Sequence, residues 1–485
     1  WANSGMAAGG SISARMAAFG LGMIDGWQGL AAMDAACGAP DAGVQAFMMV
    51  QWGTMLRFGV PPLLASFGRF AAQKATPTKP KPAQVKQEPV AAVAPARKPP
   101  AVMLPQMSWW VTLHGHGHPE MAKAIGDQAA RLEQVIFADF THSPAEQLGV
   151  RLSGLCGLQR LFFSDNGSTA VEVALKIACQ WWTNRGEPRH QIVAFDGAYH
   201  GDTFGAMAVG ERNLFSAPFE DKLFPVARVP WPATWWNDEE IEAKESAALQ
   251  VLETVLETPT AAVILEPLLQ GAGGMAMVRP DFLKAVEART RQAGALLIAD
   301  EVLTGFGRCG DWFASRRAGI RPDLMALSKG LTGGCLPMGV TMASETVFEA
   351  FVGDDPCLTL WHGHSFTANP LGCAAANTSL DLLERNPGDF EGFEARHRPR
   401  LEELSRHPRV QHPRLTGTVA AFDLVVDGTS GYLNPAGPKL KQIAMDNGVF
   451  LRPLGQVVYL LPPLCITDPQ LDHCYDTILA ALDQL

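Results

Sequence analysis

The sequence LLIADEVLTGFGR, residues 296–308, decides the fold class of this chain. Its first four residues are apolar without alternation, which is typical of a strand covered on both faces. Asp300 ends this predicted strand, at the position where open α/β sheets bind their ligands. A second apolar run, residues 324–327, leads to Lys329 and a Gly-rich turn. The two stretches predict an α/β protein with an acid and a lysine at two strand ends.

An acid and a lysine together suit pyridoxal phosphate (PLP) as a cofactor. A lysine holds PLP as a Schiff base, and an acid pairs with the pyridinium nitrogen and keeps the ring protonated. Lys329 and Asp300 are the candidates for these roles. The alternatives are a buried structural carboxylate and a solvated surface lysine.

The sequence RLFFSDNGSTAVEVALKIACQWW, residues 160–182, predicts a strand, a turn and a helix. Gly167 and Ser168 open the helix, where free backbone N–H groups and the helix dipole favour a phosphate. Polar residues are also ordinary helix caps, so the turn alone does not establish a phosphate site.

Two further predicted strands lead to candidate site residues. QIVAFDGAYHGDTFGAM, residues 191–207, predicts a strand and then a loop that contains Tyr199. AAVILEPLLQGAGGM, residues 261–275, predicts a buried strand that ends in Glu266. We expect Gln270 and the glycines after it to form a flexible loop at the same sheet edge.

Composition excludes several classes of protein. The 485 residues are 47% hydrophobic and 18% charged, which is typical of a globular chain. A net charge of -10 argues against a dedicated nucleic-acid binder. The nine cysteines form no CxxC pair, which favours a reducing cytoplasm over a disulfide framework or a zinc site. No apolar run reaches the roughly 18 residues of a transmembrane helix, and no stretch has a signal-peptide pattern.

Composition also divides the chain into four regions. Residues 1–72 are rich in Ala, Gly and Met and are predicted to be a helical accessory segment. Residues 73–105 are rich in Pro, Lys and Ala and predict an extended linker. We expect a large domain over 106–380 and a smaller C-terminal α+β domain over 381–485.

The motifs IADEVLTGFGR and LSKGLTGG together resemble the signature of class III aminotransferases of fold type I. The resemblance implies PLP-dependent transamination on a large, mainly parallel-sheet domain with a smaller C-terminal domain. It implies that Lys329 is catalytic and that five further residues bind the cofactor: Gly167, Ser168, Tyr199, Asp300 and Ser365. The resemblance also implies that VTLHGHGHP, residues 111–119, is a loop near the substrate. We therefore expect no metal site on its alternate histidines.

The resemblance extends to the substrate site and to assembly. It implies substrate contacts from Trp109, Trp110, Tyr199, Gly363 and Arg452, with the guanidinium of Arg452 binding a carboxylate. In this family the residue at the Ser365 position comes from the neighbouring subunit. A homodimer with a shared active site is therefore expected.

Four segments narrow the resemblance to the biotin-synthesis branch of the family: the tryptophan pair with HGHGHP, SDNGSTAVEVALK, AYHGDTFGAM and LRPLGQVVYLLPP. That branch takes S-adenosylmethionine as amino donor and 8-amino-7-oxononanoate as acceptor. Residues 1–106 differ in composition from the segment that precedes the tryptophan pair in the family. The alternatives are an ω-aminotransferase for ornithine, γ-aminobutyrate or β-alanine, and a degenerate PLP fold in a localisation protein.

Overall fold

The structure, a computed structural model, describes residues 109–426, 431 and 434–485. The predicted helical segment over 1–72 and the predicted linker over 73–105 lie outside the described residues. Within the described part of the chain, no helix is long and apolar enough to cross a membrane.

A seven-stranded sheet forms the centre of the described chain. Its strands are β1 (Arg160–Ser164), β2 (Gln191–Phe195), β3 (Ala227–Val229), β4 (Thr260–Leu265), β7 (Leu296–Asp300), β8 (Leu324–Leu327) and β9 (Gly339–Ala343). The strand order is β1-β9-β8-β7-β4-β2-β3. Strand β9 runs antiparallel to β1 and β8, and the remaining pairs are parallel. The carboxyl ends of six strands therefore meet at one edge.

Two smaller sheets complete the strands. The hairpin β5 (Leu269–Gln270) and β6 (Ala276–Met277) follows β4. The antiparallel sheet of β10 (Val410–Thr416), β11 (Val419–Leu424) and β12 (Val457–Leu460) lies in the C-terminal part. Strands β11 and β12 consist of the apolar runs VAAFDL and VVYL.

The α-helices surround these sheets. They are α1 (Pro119–Ala129), α2 (Ser143–Cys156), α3 (Gly167–Asn184), α4 (Phe204–Val209), α5 (Ile241–Leu256), α6 (Pro280–Gln292), α7 (Ala314–Ala318), α8 (Glu345–Glu349), α9 (Pro370–Arg385), α10 (Gly388–Glu391), α11 (Phe393–Leu404), α12 (Ala436–Asp446) and α13 (Asp468–Leu482). The predicted domain boundary at residue 380 falls within α9, and the division into domains stays a prediction.

Both faces of the large sheet are covered by apolar side chains, as the unbroken hydrophobic strands predict. On one face Ile192 and Ile298 pack in a core with the buried face of α3. On the other face the alternate residues Val193 and Leu297 pack with Phe282 of α6. This double cover holds the strand ends in place, and the sheet therefore provides a rigid support for the loops at its carboxyl edge.

Candidate active site

The largest group of predicted site residues lines one cavity at the carboxyl edge of the large sheet. The cavity has a volume of about 350 Å³. Its lining includes residues that follow five different strands: Gly167 and Ser168 after β1, Tyr199 and His200 after β2, Glu266 after β4, Asp300 at the end of β7, and Lys329 after β8. The carboxyl edge of the parallel strands is where this class of sheet forms ligand sites.

Asp300 is held by donors on both of its oxygens. Nδ1 of His200 donates to Oδ2 at 2.7 Å, and the backbone N–H of Val302 donates to Oδ1 at 3.0 Å. Both Asp300 and His200 are buried. The other ring nitrogen of His200, Nε2, has no hydrogen-bond partner among the residues that the structure describes. These contacts fix the orientation of the carboxylate.

Lys329 begins a single turn of 3-10 helix, Lys329–Thr332, directly after β8. Its backbone has a φ of 44°, in the left-handed region that side chains rarely adopt. Its Nζ lies 5.2 Å from the ring centroid of Trp110. Burial lowers the pKa of Lys329, and the negative charge of Asp300 opposes that shift. A lysine with a lowered pKa is more readily neutral, as a nucleophile or general base must be.

The first turn of α3 forms a narrow cradle. Asn166 caps the helix by accepting from the N–H of Thr169 at 3.0 Å. The N–H groups of Gly167 and Ser168 have no partner within the helix, as is general for a first turn. A Cβ on Gly167 would lie 2.6 Å from Cγ1 of Val302, so a side chain at this position would fill the cradle.

Glu266 organises the loops on either side of it. Its Oε1 accepts from the N–H of Tyr199 at 3.0 Å, and its Oε2 accepts from the N–H of Gly271 at 3.1 Å. Burial raises the pKa of Glu266 to about 7, although His200 opposes the shift. Tyr199 is half-exposed and donates through its hydroxyl to Asp202 at 2.9 Å.

The prediction that Gln270 belongs to a flexible loop is wrong. Gln270 is buried and lies in β5, where it pairs with Ala276. Its Nε2 donates to the carbonyl of Asp196 at 2.9 Å. The glycines that follow the strand complete a tight hairpin, which the glycine count alone does not distinguish from a loose loop.

The predicted substrate residues Trp109, Trp110 and Arg452 lie together. Trp110 lines the cavity, and the two indoles are stacked with centroids 5.9 Å apart and planes at 13°. The guanidinium carbon of Arg452 lies 4.3 Å from the ring centroid of Trp109. The indole N–H of Trp110 donates to the hydroxyl of Tyr459 at 2.8 Å. Lys329, Trp110, Trp109 and Arg452 therefore form a row in which each side chain contacts the next.

Gly363 and Ser365 do not line this cavity. Both are exposed, and the carbonyl of Ser365 accepts from Nε2 of Gln134 at 2.8 Å. The cofactor and substrate contacts expected of these two residues are therefore not made within the single chain. Their roles stay predictions.

The alternate histidines of the 111–119 segment lie in an irregular, bent stretch that leads into α1. Nε2 of His114 and the hydroxyl of Ser379 are 2.9 Å apart. Burial lowers the pKa of His114 to about 4, with the nearby His118 adding to the shift. Among the described residues, no group of three or more His, Cys, Asp or Glu side chains is arranged to hold a metal ion.

Sequence reasoning missed three residues of this site. His200 and Val302 lie beside predicted residues in the chain, so their proximity to Tyr199 and Asp300 was an available signal. Neither periodicity nor spacing distinguishes which neighbour of a site residue turns toward the cavity. Tyr459 had no local signal, because its contact with Trp110 spans 349 residues of sequence.

The residues around the cavity fit PLP. Lys329 and Asp300 line the same cavity, as a Schiff-base lysine and a pyridinium partner must. The space that a Cβ on Gly167 would fill lies at the first turn of α3, where N–H groups favour a phosphate. Gly167, Ser168, Asp300 and Lys329 would hold the cofactor.

Comparison with known proteins gives the same family. Residues 105–482 match the model of the family described as aminotransferase class-III. The chain is 58% identical to an adenosylmethionine-8-amino-7-oxononanoate aminotransferase of Synechococcus elongatus, over 78% of this chain and 90% of that protein. It is 40% identical to the protein of the same name from Geobacter sulfurreducens, over 76% of this chain and 84% of that one.

Solved structures of similar proteins share the fold. The adenosylmethionine-8-amino-7-oxononanoate aminotransferase of Methanocaldococcus jannaschii aligns with a TM-score of 0.72 and 29% identity, over 77% of this chain and 87% of that chain. A PLP-bound amine transaminase from an uncultivated Pseudomonas species aligns with a TM-score of 0.72 and 30% identity, over 77% and 89%. Because the family match spans most of its length, the chain belongs to the class III aminotransferases, which are PLP-dependent enzymes.

Proposed function

We propose that this chain transfers the amino group of S-adenosylmethionine to 8-amino-7-oxononanoate and so forms 7,8-diaminononanoate for biotin synthesis. The observation that carries the proposal is the high identity to a relative named for this pair of substrates. The geometry supports it, because the row from Lys329 to Arg452 offers an apolar wall with a cation at its far end. An acceptor with a ketone at one end and a carboxylate at the other matches that arrangement.

Lys329 would carry the proton in both half-reactions. PLP, when bound, supplies an aldehyde that exchanges an amino group and a protonated ring that withdraws electrons. In the donor half-reaction Lys329 Nζ would take the proton from the substrate Cα, and in the acceptor half-reaction it would deliver a proton to the former ketone carbon. Burial lowers the pKa of this amine, which increases the neutral fraction that can accept a proton.

Asp300 would hold the negative charge opposite the ring nitrogen. His200 and the N–H of Val302 fix its two oxygens, so that little reorganisation is needed during the reaction. Gly167 and Ser168 would bind the phosphate through backbone N–H groups at the start of α3. Tyr199 would cover one side of the site, since it lines the cavity beside Asp300.

The tryptophan pair and Arg452 would recognise the acceptor. The stacked indoles of Trp109 and Trp110 present a flat apolar surface for the alkyl chain. Arg452 would bind the terminal carboxylate through paired N–H donors, which a guanidinium provides in a planar fork.

We also propose a homodimer that shares its active sites. Support comes from the exposed positions of Gly363 and Ser365, which lie outside the cavity of their own chain. Mixing a Lys329→Ala variant with a Ser365→Ala variant tests the proposal. A shared site requires that PLP affinity and activity return in mixed dimers, whereas a site within one chain leaves both variants impaired. The sedimentation coefficient of the mixture shows whether the chains form dimers.

The cytoplasm is the proposed location. The eight cysteines in the described part of the chain are all free thiols, which a reducing compartment maintains.

The function is tested by the absorbance of the PLP-loaded enzyme in two steps. S-adenosylmethionine alone should convert the yellow form to the amine form, and 8-amino-7-oxononanoate should then restore the yellow form. A protein that ignores S-adenosylmethionine but responds to ornithine, γ-aminobutyrate or β-alanine would be an ω-aminotransferase of another branch. Formation of 7,8-diaminononanoate, detected by mass spectrometry, confirms the second step.

A further inference from the structure

Tyr459 lies against the tryptophan pair without being part of the cavity wall. It belongs to β12 and is 6% exposed. Its hydroxyl accepts from the indole N–H of Trp110 at 2.8 Å. Its ring meets Trp110 edge-on, with centroids 6.1 Å apart and planes at 70°. The contact therefore combines a hydrogen bond with an aromatic pair of favourable geometry.

Trp110 links the two ends of the row from Lys329 to Arg452, so its orientation affects the position of the other side chains. It lines the cavity, lies 5.2 Å from Nζ of Lys329 and stacks on Trp109. A rotation of the Trp110 indole would move Trp109, and with it the surface on which Arg452 lies. A single hydroxyl can therefore fix the orientation of the indole surface that lies between the lysine and the arginine.

We propose that Tyr459 is a positioning residue that fixes the Trp110 indole and thereby aligns the acceptor between Lys329 and Arg452. The inference rests on the proposed function. The acceptor carries its ketone and carboxylate at opposite ends of a carbon chain, so both ends must be in register at once. S-adenosylmethionine carries its carboxylate next to the reacting amine and depends less on that spacing.

The variant Tyr459→Phe keeps the ring and removes the hydroxyl. Loss of one such hydrogen bond predicts a rise of roughly three- to tenfold in KM for 8-amino-7-oxononanoate. The rate of the half-reaction with S-adenosylmethionine should change by less than about twofold, since it does not need the long spacing. A general loss of stability would lower both half-reactions together.

The chain offers a matched control in Tyr475→Phe. Tyr475 is 5% exposed, and its hydroxyl is 2.8 Å from Nδ1 of His397, away from the cavity. This control also loses a buried hydroxyl, but its KM for the acceptor should equal that of the wild type. An equal rise in KM in both variants would overturn the proposal.

A double-mutant cycle separates positioning from direct substrate contact. In Trp110→Phe the indole N–H is absent, so adding Tyr459→Phe should have no further effect on KM. If Tyr459→Phe raised KM as much in the Trp110→Phe variant as in the wild type, Tyr459 could not act through Trp110. Near-ultraviolet circular dichroism provides a readout that is independent of activity. Tyr459→Phe should alter the tryptophan signal, whereas Tyr475→Phe should leave it unchanged.

The two proposals can fail separately. A wild-type enzyme that does not accept 8-amino-7-oxononanoate refutes the proposed function. The dichroism of Tyr459→Phe then still decides the positioning role, because an unchanged tryptophan signal would refute it.

Discussion

The carboxyl edge of the seven-stranded sheet and the edge of the three-stranded sheet contribute to the site in different ways. At the large sheet, Asp300 and Lys329 lie at or just after the ends of adjacent strands. At the small sheet, Arg452 and Tyr459 lie before and within β12, and their contacts reach back to Trp109 and Trp110. The first region holds the groups that are proposed to take part in the reaction, and the second holds groups that would recognise the acceptor.

The difference separates two kinds of effect. Changes at the large sheet should slow both half-reactions, because both would use the same lysine and acid. Changes at the small sheet should weaken the acceptor half-reaction alone. The following variants test that separation.

Lys329→Ala should have the largest effect. Loss of the amine that is proposed to carry the proton is expected to slow both half-reactions by roughly a thousandfold. Borohydride should attach PLP to the wild-type chain and fail to attach it to the variant, as measured by the mass of the intact protein. Attachment to the variant would show that another amine holds the cofactor.

Asp300→Asn should come next. Replacing the charge while keeping the shape is expected to slow both half-reactions by roughly a hundredfold. Asp323→Asn is the control at the opposite edge of the same sheet, where Asp323 accepts from the N–H of Leu297 at 2.7 Å. Stopped-flow rates for each substrate provide the measurement, and equal losses in the two variants would contradict a catalytic role for Asp300.

Arg452→Met should affect one half-reaction. Loss of the guanidinium is expected to raise KM for 8-amino-7-oxononanoate by roughly 30-fold, the cost of removing one partner of a charge pair. Arg452→Lys should recover part of the loss, because it restores the charge but not the planar pair of donors. Steady-state kinetics with each substrate varied in turn gives both constants. An equal rise in KM for S-adenosylmethionine would contradict the idea that the small sheet serves the acceptor half-reaction alone.

Glu266→Gln should have the smallest effect. The effect is on the stability of the PLP-free protein. Burial raises the pKa of Glu266 from 4.5 to about 7, so the folded chain holds an extra proton between those pH values. Stability should therefore fall as the pH rises through that range. The variant lacks this titration. Between pH 4.5 and pH 7 its free energy of unfolding should therefore rise by at least about 1 kcal/mol relative to that of the wild type. Urea unfolding at pH 4.5 and pH 7 measures the difference; a constant difference would contradict the shifted pKa.

The sequence predicted the large sheet better than the site around it. The strands before Ser164, Asp300 and Lys329 are where their apolar runs indicated. Gln270 was misassigned because a strand of two residues is too short to show alternation. His200 was missed because a histidine after an aromatic residue carries no sign of which neighbour it contacts.

The sequence by itself determined the α/β class, the PLP chemistry and the residues at the strand ends. Strand ends are predictable because buried strands have continuous apolar runs, and parallel strands bring their carboxyl ends to one edge. Only the tertiary structure decided that Tyr459 contacts Trp110 and that Gly363 and Ser365 lie outside the cavity. Those contacts depend on how distant segments pack, and distant packing leaves no periodic pattern in either segment.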